Sequence, residues 1–359
     1  MSTLVVEVCE VKSVDPHPNA DALEFITVKG WPVIVQKAAG LRVGDRVVYF
    51  PPDCVMPPDL ADRLGIAKYL SPLPREVDGT RPTGLRVRAA RLRGSASYGT
   101  VDLRVDPSWD VGRDVKEIYG VTKFEPPSRP IDGDAAPPLP AFHGYTDIEN
   151  IRNFPDSIRA GEEVVITEKI HGKNCRLGLV RVGDDFEFVA GSNEVRRNEL
   201  DARGRRSDFW MPLDEGVRSL LRQVSEGRRS VVLFGELYGS GVQDMAYGLA
   251  NGSKGFQAFD LAADGTYLDF DVKRELFGRF GIDPVPILDR GPFSWEAVEE
   301  HTYGPTLLCP PEAAGKFAGR EGCVITPVRE RFAPELGGRA ILKSISADYL
   351  ARKGGTDEL

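Results

Sequence analysis

Cysteine and histidine are scarce, with five and four residues in a chain of 359. The cysteines, at 9, 54, 175, 309 and 323, are odd in number and widely spaced, with no CxxC pair. That excludes a disulfide framework and a zinc-finger ligand set, and it fits a reducing compartment. No apolar run approaches the roughly 18 residues that span a bilayer. The N-terminal Met1-Ser-Thr-Leu-Val-Val-Glu has neither a basic region nor a long apolar stretch, so the expectation is a cytoplasmic protein without a membrane partner. GxGxxG and GxxxxGK[ST] are both missing, which leaves neither a Rossmann turn nor a P-loop. Basic residues are in the minority: the net charge of −8 excludes a chain coated in positive charge, though not a local nucleic-acid patch.

What remains is ordinary globular material, 41% hydrophobic and 28% charged, at a length that fits two domains. Leu4-Val-Val-Glu-Val, Phe25-Ile-Thr-Val, Pro32-Val-Ile-Val and Arg46-Val-Val-Tyr-Phe are short β-branched runs between turn residues. Thr83-Gly-Leu-Arg-Val-Arg-Ala-Ala-Arg-Leu-Arg alternates apolar residues with arginine, as a half-exposed strand does. Residues 1–124 therefore read as a small all-β domain of the OB-fold kind, which commonly binds nucleic acid. Residues 125–140 hold six prolines in 16 positions and read as a semi-rigid linker. Residues 141–359 mix strands (Val164-Val-Ile-Thr-Glu-Lys, Val231-Val-Leu-Phe, Gln257-Ala-Phe-Asp-Leu, Cys323-Val-Ile-Thr, Ala340-Ile-Leu-Lys) with helices over 213–225 and 272–281. This is an α+β pattern rather than a βαβ alternation.

Thr167-Glu-Lys-Ile-His-Gly-Lys-Asn-Cys carries the strongest chemical signal. A buried strand delivers Lys169 to a His-Gly turn. Burial disfavours an ammonium, so a lysine there is either a surface residue at a turn or a nucleophilic amine. Four further segments stand out: Leu233-Phe-Gly-Glu-Leu-Tyr-Gly with Glu236 just after a strand, the aromatic strand Phe256-Gln-Ala-Phe-Asp-Leu, Glu321-Gly-Cys-Val-Ile with an acid before a strand, and Leu342-Lys-Ser-Ile-Ser with Lys343 at a strand end.

In this order, the five segments resemble nucleotidyltransferase motifs I, III, IIIa, IV and V of ATP-dependent polynucleotide ligases. Lys-Ile-His-Gly-x-Asn resembles the RNA ligase branch, where DNA ligases and capping enzymes usually carry Asp in place of His. His17-Pro-Asn-Ala-Asp-Ala-Leu-Glu resembles the opening hairpin of tRNA-binding-type OB domains. The whole resembles an RNA ligase clade with an N-terminal OB module that seals 3′-OH/5′-phosphate nicks. The resemblance implies an ATP-grasp-like adenylylation domain preceded by an OB fold, and a monomer that acts on RNA with ATP and Mg²⁺ or Mn²⁺. It implies that Lys169 becomes Lys-AMP, that Glu236 holds the ribose, and that Phe256 stacks on adenine while Phe259 is core. It further implies that Glu321 serves the metal and that Lys343 contacts the α-phosphate. Glu168, His171 and Asn174 belong to motif I. Arg196 or Arg197 belongs to motif Ia, with Arg197 taken as the nucleotide-site residue.

There are two departures from the family pattern. Ile345 stands where many relatives have a second motif V lysine, a place another cation such as Arg339 can fill. Lys173 stands where Thr is common, either beside the nucleophile or facing solvent. No OB domain is expected after motif V, since 16 residues follow Lys343. Arg81, Arg86, Arg88, Arg91 and Arg93, with no acid among them, form either a solvated strand face or a surface that tracks RNA phosphates. The rival readings are a DNA ligase or capping enzyme on the same core, and a non-catalytic OB-type RNA-binding protein.

Overall fold

Short alternating runs closed by two-residue turns form much of the N-terminal region. Strand Leu23–Val28 buries every second residue, and Ile26 and Val28 are fully enclosed. It pairs with Trp31–Gln36 through a turn in which Lys29 (φ 50°) and Gly30 (φ 76°) both adopt positive φ. Those angles match the sense of twist that a tight hairpin needs. The computed structural model describes residues 3–75, 79–125, 133–315 and 317–352. It divides into two units, Met1–Pro130 with Ala347–Leu359, and Ile131–Ser346.

In the first unit, Arg46–Phe50 is the centre of a three-stranded antiparallel sheet, between Glu7–Glu10 and Thr100–Asp102. The expected single strand over 83–93 is broken. Leu85–Arg86 pairs with Cys54–Met56, and Ala89–Leu92 forms a hairpin with Ser95–Tyr98. Val6, Val8, Val48, Phe50, Met56 and Val87 make the core, under the short helix Pro58–Arg63. The Tyr98 hydroxyl donates to the carbonyl of Ala347 at 2.9 Å.

The second unit holds two sheets. One runs in the order Glu149–Asn150, Leu342–Ile345, Gly322–Pro327, Glu163–Lys169, Ile287–Pro292. The other is antiparallel throughout: Arg196–Arg197, Asp185–Gly191, Lys173–Val182, Ser230–Gly239, Lys254–Ala263, Thr266–Tyr267. Helices Glu215–Val224 and Phe270–Phe280 cover its Leu177, Leu233 and Leu261 face. Asp214 caps the first helix by accepting the Val217 N–H at 2.9 Å, and Gly281 ends the second in the left-handed region. Helix Trp295–Thr302 packs on the five-stranded sheet.

Of the expected linker 125–140, residues 126–132 lie outside the described residues. Its second half binds the second unit: the Ala136 N–H donates to the Arg196 carbonyl at 2.9 Å, and Asp134 pairs with Arg197. Among the described residues no helix is long and apolar enough to cross a membrane.

Candidate active site

Strand Glu163–Lys169 is central in its sheet, antiparallel to Gly322–Pro327 and to Ile287–Pro292. Alternation places Val165, Thr167 and Lys169 on one face, with Val324 and Thr326 beside them. That face and the Asn174, Glu236 and Asp260 side of the other sheet enclose a cavity, which helix Phe270–Phe280 completes.

Lys169 forms an ion pair with Glu321, and the His171 Nδ1 lies 3.3 Å from the second oxygen of that carboxylate. The His171 Nε2 lies 2.8 Å from Asp244. His171 and Glu321 are buried, whereas Asp244 is more than half exposed. The turn that presents them is held from the 243–247 loop. The His171 N–H donates to the Tyr247 hydroxyl at 2.6 Å, and the Gln243 amide donates to the Gly172 carbonyl at 3.4 Å. Tyr247 adopts φ 50°, a left-handed conformation that is costly for an aromatic residue. Gly172 is required by proximity, because a Cβ there would stand 2.3 Å from the Leu237 carbonyl oxygen.

Burial raises the Glu321 carboxyl, but the Lys169 charge and the His171 contacts outweigh it and hold the group below the ordinary carboxylate value. Glu236 is pushed up to about 8, chiefly by burial; Lys169 opposes the shift and Glu321 adds to it. Asn174 is its cross-strand partner, and the buried Asn174 Oδ1 has no hydrogen-bond partner. A buried acceptor beside a carboxyl that is readily protonated suits a ligand bearing hydroxyl groups.

Lys343 is buried and pairs with Val324, so it shares the cavity side of the sheet, as does the apolar, fully buried Ile345. Arg339 does not make up the missing cation. Its guanidinium pairs with Asp260 (2.8 Å) and Glu330 and lies over the Tyr267 ring at 3.6 Å. Asp260 also accepts from Lys273 at 2.8 Å and from the Tyr145 hydroxyl at 2.7 Å.

The motif IIIa aromatics exchange their expected places. Glu236 pairs with Gln257 and Leu237 with Phe256, so Phe256 turns to the core side. A register shift leaves Phe259 unpaired between Ala258 and Asp260, and this bulge carries Phe259 into the cavity wall. The Glu168 carboxylate is engaged by the Thr306 hydroxyl (2.6 Å) and the Leu307 N–H (2.8 Å), so its side chain anchors the 306–307 loop. Neither motif Ia arginine lines the cavity: Arg197 pairs with Asp134, and Arg196 faces Glu187 at 3.5 Å. Val324, Lys273 and Arg274 are wall residues that the sequence reading missed. Their signal was available in the Glu-Gly-Cys-Val register and in the helical spacing from Phe270.

In the first unit the arginine stripe divides. Arg86 forms a buried ion pair with Asp53 and lies over the Phe124 ring at 3.6 Å. Arg88 is half-buried, Arg93 occupies the positive-φ turn of the 89–98 hairpin, and Arg81, Arg91 and Arg93 are exposed.

Among the described residues no cluster of three or more His, Cys, Asp or Glu side chains could cage a metal. One buried carboxylate, Glu321, beside Lys169 fits a divalent cation that takes most of its ligands from phosphate oxygens and water.

An RNA ligase family model matches residues 162–345, and an OB-fold domain model matches residues 5–103. No curated protein sequence matches the chain. Among solved structures, the chain is similar to Naegleria gruberi RNA ligase. A mutant of that enzyme with ATP and Mn has 26% identity and a TM-score of 0.71, covering 96% of this chain and 98% of that one. A second mutant with AMP and Mn gives 26% and 0.71, covering 97% and 98%. The same enzyme with PPi gives 26% and 0.68, again covering 97% and 98%.

Proposed function

We infer, because this chain belongs to the RNA ligase family, that it uses ATP to join an RNA 3′-OH to a 5′-phosphate through a lysyl-AMP intermediate, in RNA repair. The observation that carries this reading is Lys169 at the end of a central strand, paired with a Glu321 that His171 also contacts, and lining a cavity with Glu236, Asn174 and Phe259. A lysine serving only the surface has no need of that enclosure.

In the first step the Lys169 Nζ attacks the α-phosphorus of ATP. A P–N bond forms, the bond to the pyrophosphate oxygen breaks, and the amine loses its proton. The amine is engaged by Glu321, so attack requires Glu321 to release it. Glu236 and Asn174 hold the ribose hydroxyls, and Phe259 and Val324 pack on the two faces of the base. Lys343, on the same side of the sheet, offsets charge at the α-phosphate. In the second step an RNA 5′-phosphate oxygen attacks the lysyl-AMP phosphorus and the P–N bond breaks. In the third, an RNA 3′-OH attacks the 5′-phosphorus and AMP leaves. A divalent cation, when bound, neutralises phosphate charge, and Glu321 is the residue to hold it.

The test is incubation with α-labelled ATP and, separately, α-labelled GTP, followed by denaturing electrophoresis. An acid-labile label from ATP alone is the expected result. Labelling from GTP alone indicates a capping enzyme, and no labelling from either rejects covalent chemistry.

A further inference from the structure

Helix Phe270–Phe280 presents Phe270, Lys273, Arg274 and Phe277 to the cavity, at the i, i+3, i+4 and i+7 spacing of a core-facing stripe. Two of these four are cations, and they are treated differently. The Lys273 ammonium is matched by Asp260 at 2.8 Å. The Arg274 Nη1 is enclosed and has no hydrogen-bond partner. Enclosing a guanidinium N–H without an acceptor is unfavourable. A ligand atom in the cavity is the acceptor that removes the penalty.

The position of Arg274 says which part of the ligand it meets. Lys169, Asn174 and Glu236 lie at one end of the cavity. Val165 and Thr326, which pair with each other, lie four residues back along the nucleophile's strand, about 13 Å away. The helix begins at that far end, where the Phe270 N–H donates to the Val328 carbonyl at 2.9 Å, and Arg274 is one turn further on. With the α-phosphate at Lys169 and the ribose at Glu236, what reaches the Arg274 end is the nucleobase. A guanidinium only donates, so its partner is a ring nitrogen and not the 6-amino group.

We propose that Arg274 is a specificity-determining residue of the nucleotide site, donating from Nη1 to a ring nitrogen of adenine. The assignment rests on the function proposed above. Burial lowers the Arg274 pKa.

The experiment measures self-adenylylation by the full chain and by Arg274→Met, which keeps length and apolar bulk but removes the donors. Each is given ATP and its 1-deaza, 3-deaza and 7-deaza analogues. The expected result is a KM for ATP raised roughly tenfold by the substitution, equivalent to one hydrogen bond, with a smaller effect on kcat. For one analogue alone, parent and variant should be indistinguishable, because the same bond is already lost. An equal penalty on ATP and all three analogues, or none on any, overturns the proposal and leaves the adenylylation reading standing. A parent that forms no adenylate with ATP overturns both. Should Met at 274 prevent folding, Arg274→Gln bears the same comparison. Its amide can still donate, so a smaller penalty on ATP that again vanishes for that one analogue is expected, and a uniform penalty overturns the assignment.

Discussion

The ammonium of Lys169 and the carboxylate of Glu321 close on each other across two adjacent strands, and Gly322 stands directly in register with the lysine. The pair helps to keep a buried carboxylate ionised. Lys169→Ala should abolish self-adenylylation. Lys169→Arg should do the same, because a guanidinium stays protonated. Lys169→Ala also leaves Glu321 buried without its cation, so thermal stability should fall. Adding Glu321→Gln to it should return part of the loss, a non-additivity of about 1–3 kcal/mol. Additive melting temperatures across this cycle contradict the pairing.

Glu236 gives a pH dependence with a definite sign. Its folded pKa of about 8 lies above the 4.5 of an unperturbed glutamate. The folded state therefore binds the extra proton between those values, and stability is lost as pH rises through the window. Glu236→Gln has no such proton to lose. Its melting temperature relative to the parent should climb from pH 5 to pH 8, by an amount on the order of several °C. A constant difference across that range is the contrary result.

The five N-terminal arginines should separate into two classes. Arg86→Ala strands the buried Asp53 carboxylate and should be destabilising by about 3 kcal/mol, read from urea unfolding. Arg81→Ala and Arg91→Ala remove exposed cations and should leave stability within about 0.5 kcal/mol. If these two contact RNA phosphates, each loss should flatten the salt dependence of nicked-duplex binding by roughly one unit of slope. A stability loss at Arg91 equal to that at Arg86 contradicts the division.

Arg339 should behave as a structural cation. Its partners Asp260 and Glu330 are both largely buried, so Arg339→Ala should be destabilising by about 3–5 kcal/mol. Below its lowered melting temperature the variant should keep the parent's KM for ATP. A raised KM with unchanged stability indicates a phosphate contact instead.

Much of the second unit was legible because its motif strands are short, β-branched and centrally placed, so local pattern and burial agree. Glu163–Lys169, Gly322–Pro327 and Leu342–Ile345 appear within a few residues of their expected bounds. The Phe256/Phe259 exchange was not legible. Strict alternation on Lys254–Ala263 gives no hint of a bulge, and one unpaired residue reverses which ring faces the cavity. Strand Lys173–Val182 escaped notice because Lys173, Asn174 and Arg176 interrupt its apolar run. Arg176 is nonetheless buried, donating to the carbonyls of Phe142 and Ser192 at 2.6 Å each. The arginine stripe looked uniform because composition cannot tell that Asp53, 33 residues upstream of Arg86, claims one member.

The first unit contains both Met1–Pro130 and Ala347–Leu359, while the second is the stretch between them. Topologically the adenylylation unit is an insertion, joined to its host at two places in the polypeptide instead of one. A single proteolytic cut between 126 and 132 would release the upstream chain from the backbone, yet the two units would keep a covalent link, because the first unit's 347–359 segment stays joined to the second through the 346–347 peptide bond. Separating them requires two cuts, and the second must spare Ser346, whose N–H donates to the Glu321 carbonyl at 2.8 Å.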